Sequence, residues 1–188
     1  MFLGKVVAGL DPNNGNLLWS HPHVTEWGLN ITMPVWGDDN LLFISSAYSG
    51  GSRVLKLTQK DGKTTAEELW FHKQLRIHHG TAIRVGDHVY GSSGDFGPAF
   101  FAAVNVKTGD VLYRDRSFPK TTFILADGKF IILDEDGNLA LATASPAGLK
   151  VISKASIMKN LAWTVPTLVR TKLYLRDRRT IAALDLGH

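Results

Sequence analysis

The feature that most limits what this chain can fold into is a repeat. Four stretches share one shape: an apolar strand, a tight polar turn and a second strand. They are "MPVWGDDNLLFISS" (33–46), "TAIRVGDHVYGSS" (81–93), "TFILADGKFIILD" (122–134) and "TVPTLVRTKLYLRD" (164–177). Aligning Leu42, Val89, Phe130 and Leu173 sets a period of roughly 40–47 residues, the range of propeller blades. The turns have a mechanism. Gly37-Asp38-Asp39-Asn40, Gly86-Asp87 and Asp127-Gly128 supply residues that tolerate positive φ, as two-residue hairpins require. A second turn and a third strand follow in each unit, ending in "RVLKLT" (53–58), "FFAAVNV" (100–106), "NLALAT" (138–143) and "TIAALDL" (180–186).

A second motif recurs at the end of that third strand. "GLDPNNGNLLW" (9–19) and "AVNVKTGDVLY" (103–113) have the same spacing. Asn105 stands for Asp11, Gly109 for Gly15 and Tyr113 for Trp19, and Gly9 stands where the other copy has Ala103. "KLTQKDGKTTAEELW" (56–70) is a looser copy with an insertion before its Trp, and "ALATASPAGLKV" (140–151) is a degenerate one with no aromatic. The Asp or Asn is expected to close the turn by accepting backbone N–H bonds, and the Gly to take the left-handed position. The aromatic then lies across the junction with the next blade. Four strands alone cannot bury both faces of a sheet, so such units stack on their neighbours. That is the logic of a β-propeller.

Composition agrees and excludes several functions. The 188 residues include 18 Gly, 5 Trp and 9 Phe, a profile of turn-rich β proteins. There is no Cys, hence no disulfide, thiolate metal site or Cys nucleophile. The net charge of +4 is scattered, with no basic stripe, so nucleic acid is not an expected partner. No apolar run reaches the length of a membrane span, and "MFLGKVVAGLD" has no usable signal peptide.

The docking pattern resembles that of the PQQ-like, quinoprotein-type β-propeller repeat family. Its motif is a small residue, any residue, Asp or Asn, two residues, Thr, Gly, three residues and Trp. Residues 103–113, with Ala103, Asn105, Thr108 and Gly109, match it except for Tyr113, and residues 9–19 match with Gly9 for Ala and Asn14 for Thr. The resemblance implies an incomplete all-β propeller of four-stranded antiparallel blades over 1–188. The expected parts are a partial blade at 1–29, blades at 30–73, 75–120 and 121–160, and an incomplete blade at 161–188. A C-terminal part of a longer bacterial protein is the expectation, periplasmic if the parent chain carries a signal. Missing blades or a second copy would close the ring.

Function reads as a non-catalytic scaffold for a protein partner, with no cofactor. The alternative is a quinoprotein-like oxidoreductase domain holding PQQ with Ca²⁺, although the absent Cys removes one element of many such enzymes. A second alternative is a carbohydrate-binding propeller using Trp36. The Gly-rich loop "YGSSGDFGPAFF" (90–101), with Asp95 and Phe96, departs most from the repeat and is the candidate partner loop. Asp134, Glu135 and Asp136 read as solvated turn acids. His78 and His79 read as one residue packed between blades and one exposed. Trp27, Trp36 and Trp163 read as core, and Arg176, Arg178 and Arg179 as a solvated turn.

Overall fold

The computed structural model describes residues 1–187 and contains strands, turns and no helix among them. Seventeen strands form five antiparallel sheets. The first is β1 (Val6–Leu10) and β2 (Leu17–Pro22). The second runs in order through β3 (Val35–Trp36), β4 (Leu41–Ser46), β5 (Gly51–Lys60) and β6 (Lys63–His72). The third holds β7 (Ile77–Val85), β8 (His88–Ser93), β9 (Phe100–Asn105) and β10 (Val111–Asp115). The fourth holds β11 (Thr121–Ala126), β12 (Lys129–Asp134), β13 (Asn138–Ser145) and β14 (Gly148–Ser156). The fifth has β15 (Thr167–Val169), β16 (Lys172–Arg176) and β17 (Ile181–Asp185). Every sheet is a simple meander, as the repeat predicts, and the sheets form a propeller arc that does not close. Upstream of β1 the chain folds back, with Phe2 bridged to Val7. The first sheet has two strands, with this isolated bridge beside β1.

The core sits between sheets. Val7, Leu42, Ile44 and Leu55 fill the first junction, and Phe43, Val54, Val89 and Val104 belong to the second. Tyr90, Phe101, Phe123 and Phe130 stack in the third, and Leu133, Met158, Leu173 and Leu175 lie in the fourth. The second strands face a junction on each side, since alternate residues point to opposite faces. All six residues of β4 are accordingly buried. First strands stand side by side and are clasped by threonines. Thr81 Oγ1 donates to Phe123 O at 2.8 Å and accepts from Phe123 N at 2.9 Å, and Thr122 Oγ1 donates to Thr164 O at 3.2 Å. At Gly80 a Cβ would stand 2.6 Å from Thr121 O, so only glycine permits this approach.

Asp134 corrects an expectation. It is fully buried rather than solvated. Its carboxylate accepts from Asp136 N at 3.1 Å, Asn138 N at 2.8 Å and Asn138 Nδ2 at 2.9 Å, closing the β12–β13 turn. Asp177 does the same in the fifth sheet, accepting from Arg179 N, Thr180 N and Asn160 Nδ2. Burial alone would raise the Asp177 carboxyl, but these bonds outweigh it and hold it far below the usual carboxylate range. Asp134→Ala leaves three partly buried donors without this acceptor. It is expected to destabilise the protein by about 2–4 kcal/mol in denaturant unfolding. A change below about 1 kcal/mol would show that the turn does not depend on the carboxylate.

Candidate functional site

The docking motif comes first, because it sets how neighbouring sheets meet. Asp11 Oδ1 accepts from Asn13 N at 2.8 Å, and Gly15 N donates to Asp11 O at 2.8 Å. The 103–113 copy repeats this: Asn105 Oδ1 accepts from Lys107 N at 2.9 Å and Thr108 N at 3.2 Å, and Gly109 N donates to Asn105 O at 2.8 Å. Thr108 Oγ1 adds a bond to Asp110. Gly15 and Gly109 have φ of 76° and 80°, the left-handed region where a side chain is strained.

The aromatics share one register. In each of the first four sheets the fourth strand bulges by one residue, and the residue just past the bulge faces a fixed row on the third strand. These pairs are Gly9↔Trp19, Val54↔Trp70, Ala103↔Tyr113 and Leu141↔Ser153. The rows differ in what they reach. Trp70 crosses the junction: its Nε1 donates to Val106 O at 2.8 Å, and its ring lies on Gly109, where a Cβ would stand 2.8 Å away. Tyr113 packs toward Ala144 and Leu149 of the next sheet, but its buried hydroxyl has no partner. Burial, with Tyr90 and Asp115 adding to it, pushes that hydroxyl above the usual phenol range. Trp19 lies over its own Gly9, where any Cβ would overlap the indole, and reaches Leu57 and Ala66. The receiving turn is missing there because β5 and β6 run on into a long hairpin that turns at Asp61-Gly62. The fourth position, Ser153, carries no ring.

A second assembly lies at the opposite end of the sheets. Antiparallel meanders place every second-to-third loop, and every link to the next sheet, at one end. Four residues from these segments, Trp27, Tyr48, Phe96 and Trp163, join His78 and His79 at the start of β7 in a continuous line of rings. Trp27 meets Tyr48 at 4.6 Å, Tyr48 meets His78 at 4.7 Å, His78 meets His79 at 5.4 Å, and His79 meets Trp163 at 4.7 Å. Phe96 caps the start, 5.9 Å from Trp27 and 5.5 Å from Tyr48. Arg178 lies 5.1 Å over Trp163, and Trp163 Nε1 donates to Glu135 Oε2 at 3.0 Å. Tyr48 has φ of 50°, unusual for a bulky residue, and its hydroxyl is 2.9 Å from His78 Nε2. Asp95 is mostly buried and pairs with Arg76 at 2.8 Å, which fixes the loop that presents Phe96.

Exposure divides this line. Phe96 is 74 % exposed, Trp27 54 % and Trp163 42 %, so neither tryptophan is core as expected. Both lie in links between sheets, which run over the surface. His78 and His79 are both half-buried, rather than one packed and one exposed, because each finds a ring neighbour. Burial first, then Lys120, lowers His78, with Asp95 opposing. Burial, then His78 and Lys120, lowers His79 to about 4. Both are neutral at pH 7. Beneath them His78 Nδ1, both ring nitrogens of His79, Ser92 Oγ and Thr121 Oγ1 are buried without a partner, a concentration of unpaired polar atoms that native cores avoid. Among the described residues no group of three or more His, Asp or Glu is placed to hold a metal ion.

Trp36 lies at the other end of the sheets and is 64 % exposed, again outside the core. It stands beside the fork of Arg84 on Asp39, at 2.8 and 2.6 Å. All three arginines of the trio are exposed, and Arg178 also lies over Trp163. Sequence reasoning singled out Asp95 and Phe96 but missed Tyr48. Its one signal was an aromatic in the short loop between two buried strands.

No protein-family model matches the sequence, and no curated protein does. Among solved structures the chain is similar to a computationally designed protein, Ika8, with a TM-score of 0.59 and 14 % identity over 97 % of this chain. It is also similar to a europium-containing methanol dehydrogenase, with a TM-score of 0.62 and 12 % identity over 96 % of this chain. The chain spans 65 % and 47 % of those two structures. At such identity the likeness shows the fold alone. No helix among the described residues is long and apolar enough to cross a membrane.

Proposed function

We propose that the chain is an arc of PQQ-like repeats that serves as a non-catalytic scaffold, binding a protein partner through the aromatic line at the second-to-third loop end. The observation that carries this reading is the pair Phe96 and Trp27. Both are large, exposed and held in place by ring contacts to Tyr48. Rigid aromatic anchors on a loop are the residues that dominate protein interfaces. The ion pair of the mostly buried Asp95 with Arg76 supports it further, because it orders the loop before binding and lowers the entropy lost on association.

The test is a photo-crosslinking residue in place of Phe96, in the protein expressed in its own cells, with Lys60 as the control position. Lys60 sits at the tip of the β5–β6 hairpin, at the other end of the sheets. A discrete crosslinked partner at 96, and none at 60, is the expected result. Equal products at both positions would overturn the reading. So would a quinone spectrum with dye-linked alcohol oxidation after PQQ and Ca²⁺ are added.

A further inference from the structure

We infer that the groove between the fourth and fifth sheets is a binding site for a tryptophan side chain presented by a second protein chain. This rests on the interaction reading above and names a second contact for it. The groove holds about 270 Å³ and is lined by Ile131, Leu139, Leu141, Ser153, Leu173 and Leu186. It is continuous with the packed junction of the two sheets, which buries Ile131, Leu173 and Leu175.

The repeat identifies what the groove is. Ser153 occupies the register position held by Trp19, Trp70 and Tyr113 in the other sheets. Behind Ser153 the row continues to Leu141 and Ile131, as the Trp70 row continues to Val54 and Phe43. Both Leu141 and Ile131 line the groove. The groove is therefore the slot of a docking aromatic, without the aromatic. An apolar cavity of roughly 150 Å³ takes benzene, so this one has room for a fused bicyclic ring.

The far wall is built to receive such a ring. At the Trp70 junction the acceptor is Val106 O, and Val106 N donates to Asp87 O at 2.8 Å. Leu186 holds the matching place in the fifth sheet: its N donates to Thr171 O at 2.7 Å, in the corresponding first turn. Asp185 Oδ1 accepts from Gly187 N at 3.2 Å, as Asn105 Oδ1 accepts from Lys107 N. Leu186 is 53 % exposed, and by its correspondence with Val106 its carbonyl is the expected acceptor for an indole N–H. The three filled slots receive their rings from an extended strand. A partner segment in the same conformation is the matching donor, which makes tryptophan on a β-strand the expected ligand rather than a free small molecule.

The probe is a peptide of residues 65–73, which carries Trp70 in its natural context, and the same peptide with Trp70→Ala. Both are titrated into the whole chain while the methyl signals of Leu139, Leu141, Leu173 and Leu186 are followed by NMR. The tryptophan peptide is expected to give saturable shifts confined to the groove, and the alanine peptide to bind at least tenfold more weakly. Ser153→Trp, which fills the slot from within, should weaken the peptide at least fivefold and raise the melting temperature. Leu186→Gln removes one wall at an exposed position, leaves folding intact, and should weaken it to a similar degree. Equal binding of the two peptides, shifts outside the groove, or binding unchanged in both variants overturns the proposal. N-acetyl-tryptophanamide binding as tightly as the peptide would also overturn it, because the occupant would then be a free indole. Crosslinking through Phe96 is read at the opposite end of the sheets, so either proposal can fail alone.

Discussion

Trp70→Ala is expected to destabilise the protein by about 3–4 kcal/mol, measured as the shift in a denaturant unfolding curve. Two losses add. The indole leaves a gap between Phe43, Val104 and Val106, and Val106 O loses its donor. Trp70→Phe separates them, since it keeps most of the ring and loses the bond; about 1 kcal/mol is expected. Trp19→Ala serves as the contrast. Trp19 shares the register but has no receiving turn and no bond from its indole N–H, so about 1–2 kcal/mol is expected. Equal costs at 19 and 70 would show that docking on the neighbouring turn adds nothing. A Trp70→Ala cost below about 1 kcal/mol would remove it as an anchor.

The second large effect is loss of stability on acidification. His23 is fully buried, stacks edge-on against Phe2 at 5.1 Å, and neither ring nitrogen has a partner. Burial, then the charges of Arg53 and His21, lowers it to about 4. His79 is also lowered to about 4. An unfolded chain binds these protons near pH 6.5, whereas the folded chain resists them until about pH 4. Stability is therefore complete above about pH 6.5 and falls as pH drops toward 4. His23 accounts for about 2–3 kcal/mol of that fall, and His79, partly solvated, for less. His23→Phe, which cannot take a proton and keeps a ring beside Phe2, should flatten the profile between those values. A profile of unchanged slope would assign the acid sensitivity elsewhere.

Much of the fold was legible because local chemistry decides it. Turn residues such as Asp127-Gly128 recur at a fixed period, and alternating apolar residues mark strands that pack on both faces. The docking motif was legible for the same reason: Asp11 and Asn105 bond to residues two positions on. Which aromatic docks was not. Trp70 was reached through a looser copy with an insertion, and only the bulged register gives it the same position as Trp19 and Tyr113. The aromatic line was hidden because its rings come from loops and the start of one strand, far apart in sequence. Trp27, Trp36 and Trp163 misled because a large apolar residue favours the core on average, and links between sheets escape that average. Asp134 misled in the other direction. Its turn looks solvated, but Asp177 at the corresponding place in the next sheet was an available sign of a shared buried role.

The graded junctions also bear on how the molecule breathes. Each sheet touches only its sequence neighbours, so the arc behaves as a one-dimensional chain of coupled units. Trp70 bonds across the second junction, whereas Ser153 leaves the slot at the fourth open. Local opening in such a chain starts at the weakest link. The fifth sheet should therefore loosen as a unit, and slow hydrogen exchange should concentrate around the second and third sheets.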